Sequence, residues 1–281
     1  MVKLLACIDA SLYATSVCDH AAWAARRLDA SVEVLHVVQR KDAVAARHDL
    51  SGAVGLGAKS QLMEELARID EQEGRLARER GKLLLETAEA RLREQGIERV
   101  LPVHRHGGIV ETVIEREADA DIVVVGKRGA SADFAKGHLG SKVERVVRQS
   151  AKPVLVASRA FRPIERVLIA FDGGPSARKA VAFAATSALF EGVEQHLVIA
   201  GPDNDRNRDA LRWAGEVLGP RTSRTEIIPG EAEPVLSGEA ERGADLVLMG
   251  AYGHSPLRTL IVGSTTTAMM RSVQRPLLLF R

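Results

Sequence analysis

"ADLVLMGAYGHSPLRTLIVGSTTTAMMRSVQRPLLLF", residues 244–280, holds the plan of the whole chain. Leu246 to Met249 is an unbroken apolar run, the pattern of a strand buried on both faces of a parallel sheet. The run ends in Gly250, crosses a loop through Gly253, and reaches Gly263, Ser264 and Thr265, where a helix begins. Pro276 then opens a second apolar run to Phe280. Strand, glycine loop, helix and strand in this order are half of a doubly wound α/β domain.

The same plan stands earlier in the chain. "ADIVVVGKRG" (120–129) repeats "ADLVLMGAYG" (244–253), and "KLLACIDAS" (3–11) repeats "RVLIAFDGG" (166–174). "HLGSKVERVVRQSAKPVLVAS" (138–158) repeats "IVGSTTTAMMRSVQRPLLLF" (261–280). Asp9 and Asp172 stand 163 apart and Gly126 and Gly250 stand 124 apart, so the second copy lacks 39 residues of the first. A repeat of this length is a duplicated domain, because solenoid repeats are far shorter. The copies span 1–158 and 165–281, joined near "SRAFRPIE" (158–165).

Strands are expected at 3–8, 31–38, 99–105, 121–125 and 153–157, and again at 166–171, 194–199, 223–228, 245–249 and 276–280, with helices between. The extra residues of the first copy fall around 39–80, in "HDLSGAVGLGAKS" and a charged helix running to Glu94. Glu64/Arg68, Glu71/Arg75 and Glu89/Arg93 stand at i,i+4 and support a solvated helical face. Leu62, Leu66, Ile69, Leu76, Leu83 and Leu92 supply an apolar stripe. Such a helix covers its own sheet; the alternative is a partner-binding arm.

Composition narrows the function. The 281 residues carry 39 Lys and Arg against 37 Asp and Glu, too balanced for an electrostatic nucleic-acid binder. No apolar run approaches the length of a membrane span, and no signal peptide is recognisable. Cys7 and Cys18, the only cysteines, have no metal or redox spacing and fit a reducing cytoplasm.

In open α/β sheets, ligands bind beyond the carboxyl ends of the strands where the winding reverses. Asp172 closes the first strand of the second copy, and Gly250-x2-Gly253-x9-Gly263-Ser264-Thr265 follows its fourth. Glycines let backbone N–H groups approach a ligand, and a helix start favours an anion such as phosphate. Ser264 capping the helix is the plain alternative. No G-x4-G-K-[ST] occurs, "GAVGLG" (52–57) does not follow a strand, and "FDGGPSA" (171–177) lacks the residue order of a pyrophosphatase loop. His104 and His106 share a strand face with no carboxylate or cysteine at metal spacing, so a structural role is expected. No nucleophile–base pair can be assembled, and no catalytic residue or protein metal ligand is expected.

The G-x2-G-x9-G-[ST] pattern, after a strand opening with "AD" and before a final "PLLL" strand, resembles the universal stress protein family in its tandem form, over nearly the whole chain. The resemblance implies two five-stranded parallel sheets of order 3-2-1-4-5 flanked by helices, with an adenine-nucleotide α-hydrolase-like fold. It also implies ATP, or AMP or ADP, between strands one and four, with Mg2+. Carried over, Ala170 and Asp172 would meet the adenosine portion, and Ile199 or Ala200 would line the adenine pocket. Gly250, Gly253, His254, Gly263, Ser264 and Thr265 would surround the phosphates. The two copies are expected to form an intramolecular pseudo-dimer through 153–157 and 276–280, and the plan is compatible with a further homodimer. The implied function is a cytoplasmic stress-response regulator that binds ATP with little turnover. A weak ATPase or self-phosphorylating switch and a nucleotide-free scaffold are the alternatives.

The first copy departs from the pattern. Its residues Asp9, Gly126, Gly129, Gly140, Ser141 and Lys142 match the site, but ten residues separate Gly129 from Gly140 and Lys142 replaces a hydroxyl. The loop carries Lys127, Arg128 and Lys136, which could hold an anion, form a solvated rim or make an interface. Nucleotide binding is therefore expected mainly in the second copy.

Overall fold

The computed structural model describes residues 1–39, 56–129, 140–252 and 264–281, with the side chains of 56–63 and Ser141 outside that description. The first half runs β1 (Lys3–Ile8), α1 (Ala14–Leu28), β2 (Ser31–Val38), α2 (Leu56–Glu94), β3 (Val100–His106), α3 (Ile109–Arg116), β4 (Ile122–Gly126), α4 (Ser141–Gln149) and β5 (Val154–Ala157). The second runs β6 (Arg166–Ala170), α5 (Pro175–Thr186), β7 (Glu194–Ala200), α6 (Asp205–Leu218), β8 (Thr222–Ile228), α7 (Ala232–Gly243), β9 (Leu246–Gly250), α8 (Ser264–Ser272) and β10 (Leu277–Phe280).

Among the described residues all the strands join one ten-stranded sheet of order β3-β2-β1-β4-β5-β10-β9-β6-β7-β8. Each half keeps the parallel order 3-2-1-4-5, but the two expected sheets are continuous. β5 and β10 pair antiparallel, with Leu277 opposite Val156 and Leu279 opposite Val154. Both strands are buried along their whole length. Left apart, each would be an apolar edge with unpaired backbone groups, and pairing removes both edges at once. The two similar domains thus form a pseudo-dimer within one chain.

One apolar layer lies under α1, α2, α5 and α6 and includes Ala21, Leu92, Ala180 and Ala214. The other lies under α3, α4, α7 and α8 and includes Val113, Val147, Ala240 and Met270. Alanines along α1 and α5 let these helices approach the sheet closely. The switch in helix side therefore falls between β1 and β4, and again between β6 and β9, as doubly wound topology requires. At the opposite end, Asp121 accepts the Lys3 N–H at 2.8 Å and Asp245 accepts the Arg166 N–H at 3.0 Å. The "AD" opening of each fourth strand is thus a clasp on the first strand of the same half.

Helix α2 corrects a sequence expectation. Only its last part covers the sheet, through Gly81, Leu85, Ala88 and Leu92, whereas the residues from 64 to 80 are exposed or half-buried. Gly81 is required there, since a Cβ would stand 2.6 Å from His104 Nε2 and 2.8 Å from His36 Cδ2.

Candidate functional site

Beyond Ala170 the chain leaves β6 through Phe171, whose N–H still bonds the Val198 carbonyl at 2.9 Å. Asp172 is exposed, and its Oδ1 accepts the Gly174 N–H at 2.8 Å. That Asx turn needs Gly173, at φ +76°, and leads directly into Pro175 at the start of α5. Ala170 pairs with Met249 on one side and Val198 on the other, so the carboxyl ends of β6, β7 and β9 converge. Ile199 is buried in the layer under α5 and α6. Ala200, half-buried, closes β7 opposite Ile228.

Gly250 lies against the first turn of α5. A Cβ there would stand 2.7 Å from the Ala177 nitrogen, so any side chain would push helix backbone. Tyr252 follows at φ +48°, buried, with its hydroxyl 3.4 Å from Thr267 Oγ1. The Arg148 guanidinium from the first half lies 4.5 Å over its ring. Ser264 is exposed and Thr265 half-buried at the start of α8, while Thr266 is buried. Gly253, His254 and Gly263 lie outside the described residues.

An open recess of about 400 Å³ adjoins Asp172, bounded by Arg178, Arg206, Asp209 and Trp213. The Arg178 guanidinium sits 4.1 Å over the Trp213 ring, and its Nε donates to the Gly173 carbonyl at 3.0 Å. A second cavity of about 180 Å³ lies beside Arg166, His196 and Arg242, at the amino ends of the strands, where ligands of this topology do not bind.

The first half brings its predicted residues together differently. Asp9 Oδ1 accepts the Ser11 N–H at 3.1 Å, and a Cβ on Gly129 would stand 2.9 Å from Asp9 Oδ2. Gly140 closes on the same loop, with its Cβ position 3.7 Å from Arg128 Cα and 3.8 Å from the Gly129 nitrogen. Gly126 lies against Tyr13, where a Cβ would approach to 2.7 Å. Lys142 donates to Gln39 Oε1 at 2.6 Å, beyond the end of β2.

Of the charged residues in that loop, Lys127 takes the interface role. It is buried and donates to the Val273 carbonyl, just past the end of α8. Burial pushes its ammonium down to about 8, and neighbouring Arg128 adds to the effect. His36, His104 and His106 lie in a row, with ring centroids 5.5 and 5.4 Å apart, the first pair tilted and the second stacked. Burial lowers the His104 pKa, and its two neighbours add to the shift. Among the described residues no group of three or more His, Cys, Asp or Glu could hold a metal ion.

The model of the universal stress protein family matches residues 1–158 and 163–281. Universal stress protein Slr1230 of Synechocystis sp. is 36% identical over 287 residues, spanning 100% of both chains. Among solved structures, a universal stress protein from Archaeoglobus fulgidus superposes with a TM-score of 0.71 at 22% identity, over 99% of this chain and 98% of that one. A putative universal stress protein from Pseudomonas aeruginosa gives 0.67 at 18% identity, over 100% and 93%. At these identities the structural likeness concerns the fold.

Proposed function

The chain belongs to the universal stress protein family, and from that premise we propose a cytoplasmic stress-response regulator that binds an adenine nucleotide, mainly through its second half. The observation that carries the reading is the spacing Gly250-x2-Gly253-x9-Gly263-Ser264-Thr265 in the sequence that follows β9, which the first half does not keep. Ser264 and Thr265 open α8, and N–H groups and hydroxyls at a helix start can donate to phosphate oxygens. The exposed Asp172 carboxylate is available as an acceptor for ribose hydroxyls. ATP, or AMP or ADP, fits this division of donors and acceptors. Mg2+ would be held chiefly by the nucleotide phosphates and water, as magnesium usually is. Such a site binds phosphates without positioning an attacking water, so turnover is low.

A cytoplasmic setting agrees with two cysteines that are free, and with the absence, among the described residues, of any helix long and apolar enough to cross a membrane. Titration calorimetry with ATP and Mg2+ tests the site. Gly263→Val is expected to abolish binding, and unchanged affinity would refute the assignment. Release of labelled phosphate above background would instead favour a weak ATPase. Absence of any nucleotide binding by the unaltered chain would favour a scaffold.

A further inference from the structure

Four side chains close a circuit across the joint between the halves, two from α4 and two from the second half. The Arg148 guanidinium lies 4.5 Å over the Tyr252 ring, and its Nη2 donates to Glu144 Oε1 at 2.8 Å. Thr267 Oγ1 donates to the same carboxylate oxygen at 3.4 Å. With its proton committed there, Thr267 accepts from the Tyr252 hydroxyl, also at 3.4 Å, and the circuit is complete. Glu144 and Arg148 stand one turn apart on α4, so a single helix face supplies both.

The two members from the second half belong to its glycine motif. Tyr252 stands between Gly250 and Gly253, and Thr267 follows Ser264 by three residues, in the first turn of α8. Tyr252 is 6% exposed at φ +48°, a region that a bulky side chain enters only where its surroundings hold it. Its N–H meets Thr266 Oγ1 at the long distance of 3.5 Å, so the contacts of its side chain are the firmer hold. The duplication supplies no equivalent brace for the first half. Arg128 stands there for Tyr252 and Arg271 for Arg148, and that pair would set cation on cation. We propose that Arg148, held by Glu144, is a positioning residue for the nucleotide site: the first half braces the glycine loop of the second, and ATP affinity there depends on that brace. The inference rests on the nucleotide reading above, and it gives the first half a role that needs no ligand of its own. By linkage, nucleotide bound in the second half steadies α4 in return.

Titration calorimetry of the full chain with ATP tests the brace. Arg148→Met keeps the aliphatic stem and should weaken ATP about five- to tenfold, with an unchanged circular dichroism spectrum. Tyr252→Leu should lose as much, and the double variant should lose no more than either alone. Tyr252→Phe keeps the aromatic face and should stay within about threefold of the unaltered chain. Arg271→Met, which removes the equivalent cation of the second half, should bind ATP within about twofold, separating the brace from a general loss of positive charge. Without nucleotide, hydrogen exchange at residues 250–252 should be faster in Arg148→Met, and ATP should slow exchange at 144–148 in the unaltered chain. Unchanged ATP affinity in Arg148→Met, additive losses in the double variant, or an equal loss in Arg271→Met would each overturn the proposal. An unaltered chain that binds no ATP would refute the nucleotide reading, whereas unchanged exchange at 250–252 would refute the brace by itself.

Discussion

At the end of its first strand the first half sets Asp9 against Gly129, whereas the second half leaves Asp172 exposed, with its Oδ1 accepting the Gly174 N–H of its own turn. The Lys142–Gln39 bond spans the neighbouring strand end as well. The two copies of one plan therefore surround the same aspartate differently.

The halves differ at the other end of the strands too. Glu33 on β2 pairs beside Leu5 and is fully buried, held by Lys3 at 2.7 Å and by both ends of the Arg116 fork at 2.7 and 2.6 Å. The corresponding position on β7 is His196, beside Leu168, with Glu226 at 3.7 Å. Burial pushes the Glu33 carboxyl up, but Arg116 and Lys3 outweigh it and hold it below the usual glutamate value. Removing one member of a buried ion pair strands its partners, so Glu33→Gln should cost about 3–5 kcal/mol in urea unfolding. His196→Gln should cost under about 1 kcal/mol, and equal losses would erase this contrast between halves. Because the folded pKa of Glu33 is lowered, its stabilisation is complete above the ordinary value of 4.5 and is lost as pH falls through the lowered one.

The next effect has the opposite sign. A buried lysine brought from 10.5 to about 8 carries a charging cost on the order of 3 kcal/mol, partly offset by its bond to the Val273 carbonyl. Below pH 8 Lys127→Met should therefore leave stability unchanged or raise it by up to about 2 kcal/mol. In the unaltered protein the unfolded chain binds the extra proton between pH 8 and 10.5, so this contribution makes stability rise with pH across that window. A melting temperature that falls in Lys127→Met at pH 7 would mean that the lysine is a net stabiliser of the joint between halves.

The last comparison bears on the two switch points directly. Replacing Ser264 and Thr265 together by alanine and valine removes two hydroxyl donors and should weaken ATP about 10- to 100-fold, for about 1.5 kcal/mol or less per contact. Lys142→Ala should change ATP affinity less than twofold, because its ammonium already serves Gln39. Calorimetry on the pair would reverse the assignment if the lysine variant lost more.

Much of the fold was legible because buried parallel strands must be continuously apolar. "ADIVVV" and "ADLVLM" cannot be loops, and their repetition marks the duplication. The aspartates opening both strands were visible as a pattern, yet their role was not, because Lys3 and Arg166 lie far away in sequence. The same distance hid Gly81, whose need for no side chain comes from His36 and His104 on other strands. Of the candidate site, the glycine spacing could be read directly, since backbone approach and helix starts are local properties. Where Asp9 and Asp172 point could not, because turns on either side of a crevice decide it.

The sequence by itself determined the parallel α/β class, the duplication and the glycine-hydroxyl pattern, all of which follow from periodicity and local backbone demands. Only the tertiary structure decided that ten strands form one sheet, that Lys127 is an interface residue, and that α2 covers the sheet with its last part alone. Those outcomes depend on which apolar edges and faces remain uncovered once the local elements have packed, and no local pattern records what is left over.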